Sequence, residues 1–282
     1  MPLVRHSDPD RFLASAGPAL ARDPAAASFF HAFALGLKRH PPPAGERVYL
    51  ATCDEAGHVG AAVQRAENAV MVETAVPALA AQFADDLADE HPALQGVGGP
   101  RAACEAFARR WHERTRRAHV VRVHMGHHML TAVAPVPAVT GRMRLATADD
   151  LDWLLEASLA FVTDAGLPDS PARIARNVPQ FLARGRYRLW EDDGPAAFAG
   201  WSEAGADEAR IAPVYTPPGR RRRGYATALV AALSRELLDA GRARLFLMTD
   251  LANPTANAIY ARIGFRRLSD LYHFDFVAPA AP

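Results

Sequence analysis

The residues best placed to do chemistry stand together in Arg220-Arg221-Arg222-Arg223-Gly224-Tyr225-Ala226-Thr227, between a strand-like run, Ala209 to Thr216, and a helical one, Tyr225 to Ala240. A helix start exposes unpaired backbone N–H groups and the positive end of the helix dipole, which together suit an anion. Gly224 allows close backbone approach, and the small Ala226 lets the first turn sit against a ligand. Four arginines add charge, and no acidic residue lies between Arg210 and Arg223. A diphosphate therefore fits this segment better than a neutral ligand. The G-x-x-x-x-G-K-[ST] pattern of a Walker A loop and the G-x-G-x-x-G dinucleotide fingerprint are both missing. On this run alone, a solvated arginine turn capping a helix or a basic patch for RNA stays open.

Histidine is the other cluster with chemical potential. Ten of eleven histidines precede Thr140, and His119, His124, His127 and His128 stand close together. On a strand His124 and His128 would share a face, as a metal pair requires. Without nearby cysteine or an H-E-x-x-H pattern, solvent-facing strand residues are the expectation, and no metal is expected. Cys53 and Cys104 are too few for a disulfide framework.

The elements that must position these residues follow from periodicity and turn signals. Residues 8 to 40 read as two helices, with Asp8-Pro9 as N-cap and first helical position. Strands are expected at Arg47 to Cys53, Val59 to Arg65, Val70 to Val76 and Val120 to Val133. Helices are expected at Pro77 to Glu90 and at Pro100 to Arg117, where Phe107 and Trp111 face a core. The run from Ala134 to Gly141 is proline-rich and extended, a linker candidate. After it the order begins again. Strand Arg142 to Ala146, helices opening at Thr147 and Arg173, and a hairpin about Asp192-Asp193-Gly194 lead to the arginine segment. Strand Ala243 to Met248, helix Pro254 to Ile263 and strand Arg266 to Phe276 finish the chain. Two related units are implied, without a residue-level repeat. At 282 residues the length suits two small domains, and 50% apolar with 22% charged residues is ordinary globular composition. The halves on either side of Thr140 carry 14 basic against 14 acidic residues and 18 against 17, so neither has the basic excess of a dedicated nucleic-acid binder. No apolar run approaches a membrane span, and a cytoplasmic protein is expected.

The carboxy-terminal half resembles the GNAT N-acetyltransferase superfamily. Arg221, Gly224 and Ala226 match that family's Arg/Gln-x-x-Gly-x-Gly/Ala loop, Asn253 and Tyr260 match its Asn seven residues before a Tyr, and Gly264-Phe265 matches the Gly-Phe that follows. The stretch Val214-Tyr215-Thr216-Pro217-Pro218 is similar to the family's strand-to-loop approach. The resemblance implies an α/β (α+β) fold of two GNAT-like units, each a mixed, mostly antiparallel sheet flanked by helices. Residues 1–134 would form a degenerate or accessory domain, 135–141 a linker, and 142–282 the acetyltransferase domain. It implies acetyl-CoA as acyl donor, with the diphosphate on the amides of Arg221, Arg222, Arg223, Gly224, Tyr225, Ala226 and Thr227. The pantetheine would run along Val214, Tyr215 and Thr216. Asn253 would bind the cofactor arm, with Asn257 a second candidate, and Tyr260 would act as general acid.

The chain departs from the family at Met248, where a glutamate base commonly stands five residues before the Asn. Glu203, Glu208, Asp250 or a water relay could replace it, and the base stays unassigned. In the first half the place matching the loop reads Glu73-Thr74-Ala75-Val76-Pro77-Ala78-Leu79, without glycine or arginine, and should hold no diphosphate. The implied activity is transfer of acetyl to an amine in a ternary complex, with no nucleic-acid or membrane partner. A non-catalytic acyl-CoA-binding regulatory module is the alternative, and an RNA-associated protein a third reading. Acceptor, acyl-chain preference and oligomeric state are not written in the sequence.

Overall fold

The computed structural model of the protein describes residues 3–66, 68–91, 93–167 and 171–277. In chain order the first elements are β1 (Val4–Arg5), α1 (Pro9–Leu20), α2 (Pro24–Arg39), β2 (Val48–Glu55), β3 (His58–Arg65), β4 (Val70–Glu73) and α3 (Pro77–Glu90). β5 (Gly96–Gly99), α4 (Arg101–Thr115), β6 (Ala118–Leu130), β7 (Arg142–Leu145), α5 (Leu151–Asp164), α6 (Pro171–Ala183) and β8 (Tyr187–Glu191) come next. β9 (Pro195–Glu203), β10 (Glu208–Tyr215), α7 (Tyr225–Asp239), β11 (Arg244–Asp250), α8 (Pro254–Ile263) and β12 (Arg266–Val277) complete the chain. By contacts it divides into two units. One holds the chain up to His127 with Thr249–Asn253 and everything from Arg267 on; the other holds His128–Met248 and Pro254–Arg266. The extended segment 135–141 falls within the second unit, and the last strand belongs to the first.

In the first unit the strand order is β1-β2-β3-β4-β5-β12-β6, with β4 and β5 parallel. Asp8 and Asp23 accept the Asp10 and Ala25 amides at 2.8 Å each and so start α1 and α2, both of which begin with proline. The β2–β3 turn places Ala56 (φ 53°) and Gly57 (φ 80°) in the left-handed region, the geometry of a tight hairpin turn. The core is built on Phe83, Phe107, Trp111, Phe274 and Phe276. Trp111 is fully buried and stacks on Phe276 at 5.2 Å between centroids, so the chain's last strand completes the core of its first half.

β5 has the sequence Gly-Val-Gly-Gly, a run that strand propensity disfavours. Crowding is why it is there. A Cβ at Gly96 would stand 2.2 Å from the Phe274 carbonyl oxygen, and one at Gly99 2.4 Å from that of Val72. The neighbouring strands approach so closely that only glycine fits.

The second unit has the strand order β11-β10-β9-β8-β7, antiparallel except for β10 and β11. Alternating strand residues feed two cores, as the strand period of two requires. Ala197, Ala199, Ile211 and Leu245 pack with Leu229, Leu233 and Leu237 of α7. Leu189, Phe198 and Tyr215 pack with Leu154 of α5 and with Ile174 and Val178 of α6. Thr147 and Asp150 form a reciprocal capping box ahead of α5. Both units are thus mixed, mostly antiparallel sheets flanked by helices.

Candidate functional site

β10 and β11 pair only over Glu208–Arg210 with Arg244–Phe246. Both strands continue, β10 to Tyr215, without a further ladder between them. The cause lies in β10 itself. Its register against β9 slips between Ile211 and Val214, and Pro213 inside the slip has no N–H to donate. Beyond the slip Val214 and Tyr215 pair with Ala199 and Phe198 on one edge, while the other edge faces the opened fork. Pro213 lies nearer the divergence than Pro217 and Pro218 do.

At the open end of β10 the chain makes a short 3-10 turn, Pro218–Arg220, and then enters α7. Arg222 (φ 62°) and Gly224 (φ 84°) are both left-handed, with Arg223 between them. Alternation of this kind turns successive N–H groups toward one side, a concavity for anions. No side chain caps α7 and its first turn has no acidic residue, so the dipole end is unopposed from within the helix. A Cβ at Gly224 would fall 2.8 Å from Val139 Cγ1. Tyr225 and Thr227 are buried, Ala226 is half-buried, and Arg222 and Arg223 are exposed.

The four arginines divide into two pairs with different work. Arg220 donates to the Asp192 and Asp193 carbonyls at 3.2 and 2.7 Å, fixing the loop to the β8–β9 turn. Asp192 also accepts from the Tyr225 hydroxyl and, at 2.7 Å, from Thr140 Oγ1, and these hydrogen bonds hold its carboxyl below the usual range. Arg221 donates through Nε to the Thr216 carbonyl at 2.9 Å and through Nη2 to Asp164 Oδ2 at 2.5 Å. Tyr215 donates its hydroxyl to the same Asp164 oxygen at 2.9 Å, and the Arg221 guanidinium lies 5.6 Å from the Tyr215 ring centroid. The loop is free of acidic residues in sequence, but Asp164 and Asp192 reach it in space. Arg220 and Arg221 brace the loop, while Arg222 and Arg223 are exposed.

Asn257 and Tyr260 lie on α8, in the same unit as the loop, and α8 and α7 share a core. Asn253, just before α8, groups by contacts with the other unit. Tyr260 packs edge-on to Phe265 at 6.0 Å, and burial pushes its phenol up to about 12. Glu208 pairs with Arg244 at 2.5 Å, and burial raises its carboxyl. Glu203 accepts from Arg186 at 3.0 Å and from Arg242 at 3.4 Å. Glu208 starts β10 and Glu203 pairs beside it, opposite Ala209.

The first unit lacks an equivalent loop. Only Thr74, Ala75 and Val76 separate β4 from α3, against nine residues, 216–224, between β10 and α7. The histidines expected to face solvent do so only in part: His119 is exposed, whereas His127 and His128 are buried. His124 Nε2 lies 2.7 Å from Asp270 Oδ2, and its ring stacks on Tyr272. Among the described residues no group of His, Cys, Asp and Glu could hold a metal ion, and no helix is long and apolar enough to cross a membrane.

Comparison with solved structures finds this fold repeatedly. A GNAT-family acetyltransferase from Colwellia psychrerythraea superposes with a TM-score of 0.59 at 11% identity, over 98% of this chain and 100% of the other. A GCN5-related N-acetyltransferase from Sphaerobacter thermophilus gives 0.60 at 17%, over 98% and 95%. A tandem GNAT protein from the clavulanic acid biosynthesis pathway gives 0.57 at 13%, over 100% and 99%. The chain thus has the tandem GNAT fold, as the sequence motifs implied. The family model for FR47-like protein matches residues 189–274, the stretch from β8 to β12 that carries the fork, the loop and α8. No curated protein matches the chain.

Proposed function

We propose that the protein is an acyl-CoA-dependent N-acyltransferase that moves acetyl from acetyl-CoA to an amine by direct attack in a ternary complex, with the unit that holds β10, the loop and α8 as the catalytic domain and the other as accessory. The observation that carries this reading is the pairing of an open β10 edge with a left-handed, uncapped loop at its end. The fit is chemical. A diphosphate needs N–H groups without a side chain in the way, and the backbone from Arg222 to Thr227, with Gly224 inside it, would supply them, while the Arg221 amide instead donates to the Pro218 carbonyl at 3.3 Å. An amide-bearing arm needs an unpaired strand edge, and Val214, Tyr215 and Thr216 offer one. Exposed Arg222 and Arg223 add charge for the nucleotide phosphates, and Asn257 is the arm's polar contact within the same unit.

The donor would supply an activated acyl thioester. The chain's own contribution is orientation, a backbone N–H at the fork for the developing oxyanion, and a proton from Tyr260 for the departing sulfur. A phenol raised to about 12 keeps that proton throughout neutral pH. Met248 offers no base, so Glu203, Glu208, Asp250 or a water relay would have to supply one; a chain without a working base would fit the second reading, a non-catalytic acyl-CoA-binding module. Calorimetric titration with acetyl-CoA, CoA and ADP tests the site. Saturable binding of acetyl-CoA, lost in Gly224→Asp, is expected; a folded protein indifferent to all three would end both readings. Turnover against an amine panel then separates enzyme from binding module.

A further inference from the structure

We infer that Asp164, at the carboxyl end of α5, is a positioning residue for the acyl donor: it latches Tyr215 and Arg221 together and so sets the β10 edge and the phosphate loop before ligand arrives. The inference rests on the donor site proposed above. One oxygen, Asp164 Oδ2, accepts from both the Tyr215 hydroxyl at 2.9 Å and Arg221 Nη2 at 2.5 Å. Those two residues bracket the segment 216–220, whose first carbonyl, that of Thr216, takes the Arg221 Nε–H at 2.9 Å. Tyr215 is buried among α5 and α6 residues, with Phe161 edge-on to it at 6.1 Å, so one end of the latch is fixed in the core. The carboxylate thus joins three elements: the helix that ends at Asp164, the end of β10, and the loop before α7.

The Arg221 guanidinium is turned onto Asp164, the Thr216 carbonyl and the Tyr215 ring. Its neighbours hold Asp164 ionised, since the Arg221 and Tyr215 hydrogen bonds both depress its carboxyl. An exposed ion pair contributes little to global stability. Its effect here is local: it removes conformations of a nine-residue loop that would otherwise have to be ordered on binding, and preorganisation of this kind appears in affinity. In sequence nothing marks Asp164, 57 residues from Arg221.

The experiment is a double-mutant cycle in the full chain, read by calorimetric titration with CoA and by thermal melting without ligand. Asp164→Asn should weaken CoA binding by roughly five- to tenfold while the unliganded melting temperature stays nearly constant. Arg221→Gln should weaken it similarly, and the double variant should be no worse than either single, because the latch breaks once. Tyr215→Phe, which keeps the buried ring and deletes only the hydroxyl, should give a smaller loss in the same direction. In turnover, Asp164→Asn should raise the KM for acetyl-CoA more than it lowers kcat. Wild-type affinity in Asp164→Asn and Tyr215→Phe, with wild type itself binding CoA, would overturn the latch and leave the donor site standing. Full additivity in the cycle would also overturn it. Failure of the wild type to bind CoA would remove the donor site and the latch with it.

Discussion

Tyr260 keeps its proton because its ring is packed against Phe265 and the helix core, where a phenolate would be poorly solvated. Tyr260→Phe retains that packing and deletes the proton alone. CoA affinity should stay within about twofold, and the single-turnover rate should fall by ~10²-fold or more. Equal rates would reject Tyr260 as the acid. Glu73, at the end of β4, is a carboxylate that the fold buries. Burial, with a smaller push from Asp23, raises its carboxyl to about 8 from an ordinary value of 4.5. The folded state therefore holds a proton that the unfolded chain has already lost, so stability falls as pH rises from 4.5 to 8 and levels off above. Glu73→Gln should remove that slope and exceed the wild type at pH 8.5 by roughly 3–5 kcal/mol. Urea unfolding at pH 5.5 and 8.5 reads the difference, and parallel pH dependence in both proteins would show that Glu73 ionises as freely folded as unfolded.

At the scale of elements, caps, turns and helix stripes were legible because their causes are local. Asp8-Pro9, the Ala56-Gly57 turn and α7 stand where residue type and spacing put them. β5 was missed for the opposite reason. Its glycines are required by the carbonyls of Phe274 and Val72, groups that become neighbours only after folding. Gly96→Ala should accordingly cost ~2–3 kcal/mol or more in thermal unfolding, far above the few tenths expected at an open strand glycine. A small or stabilising change would mean the β5–β12 spacing relaxes readily. The arginine segment taught a related lesson. Its charge was visible, but the groups that engage half of it, Asp164 of α5 on Arg221 and the Asp192 and Asp193 carbonyls of a hairpin turn on Arg220, lie far away in sequence.

At the scale of the molecule, the first unit depends on the chain's last strand. Phe274 and Phe276 are buried in the core that Phe107 and Trp111 anchor, and each large aromatic lost from such a core costs ~3–5 kcal/mol. A chain ending at Phe265 should therefore lose cooperative folding of residues 3–127, since two such losses rival the whole stability of a domain. Hydrogen exchange would show α3 and α4 unprotected in the truncated protein. Retained protection there would mean the first half carries a sufficient core of its own.

The amino-acid sequence by itself determined the helices, the hairpins, the repeated element order of two units and, in the second half, the run of motifs that resembles the GNAT family. These follow from backbone preference, side-chain period and local capping, all of which act within a few residues. Only the tertiary structure decided that the last strand belongs with the first half, that Pro213 opens the fork, and that Arg220 and Arg221 hold the loop while Arg222 and Arg223 face outward. Each of those depends on a neighbour distant in sequence, whose identity is fixed by packing and not by spacing along the chain.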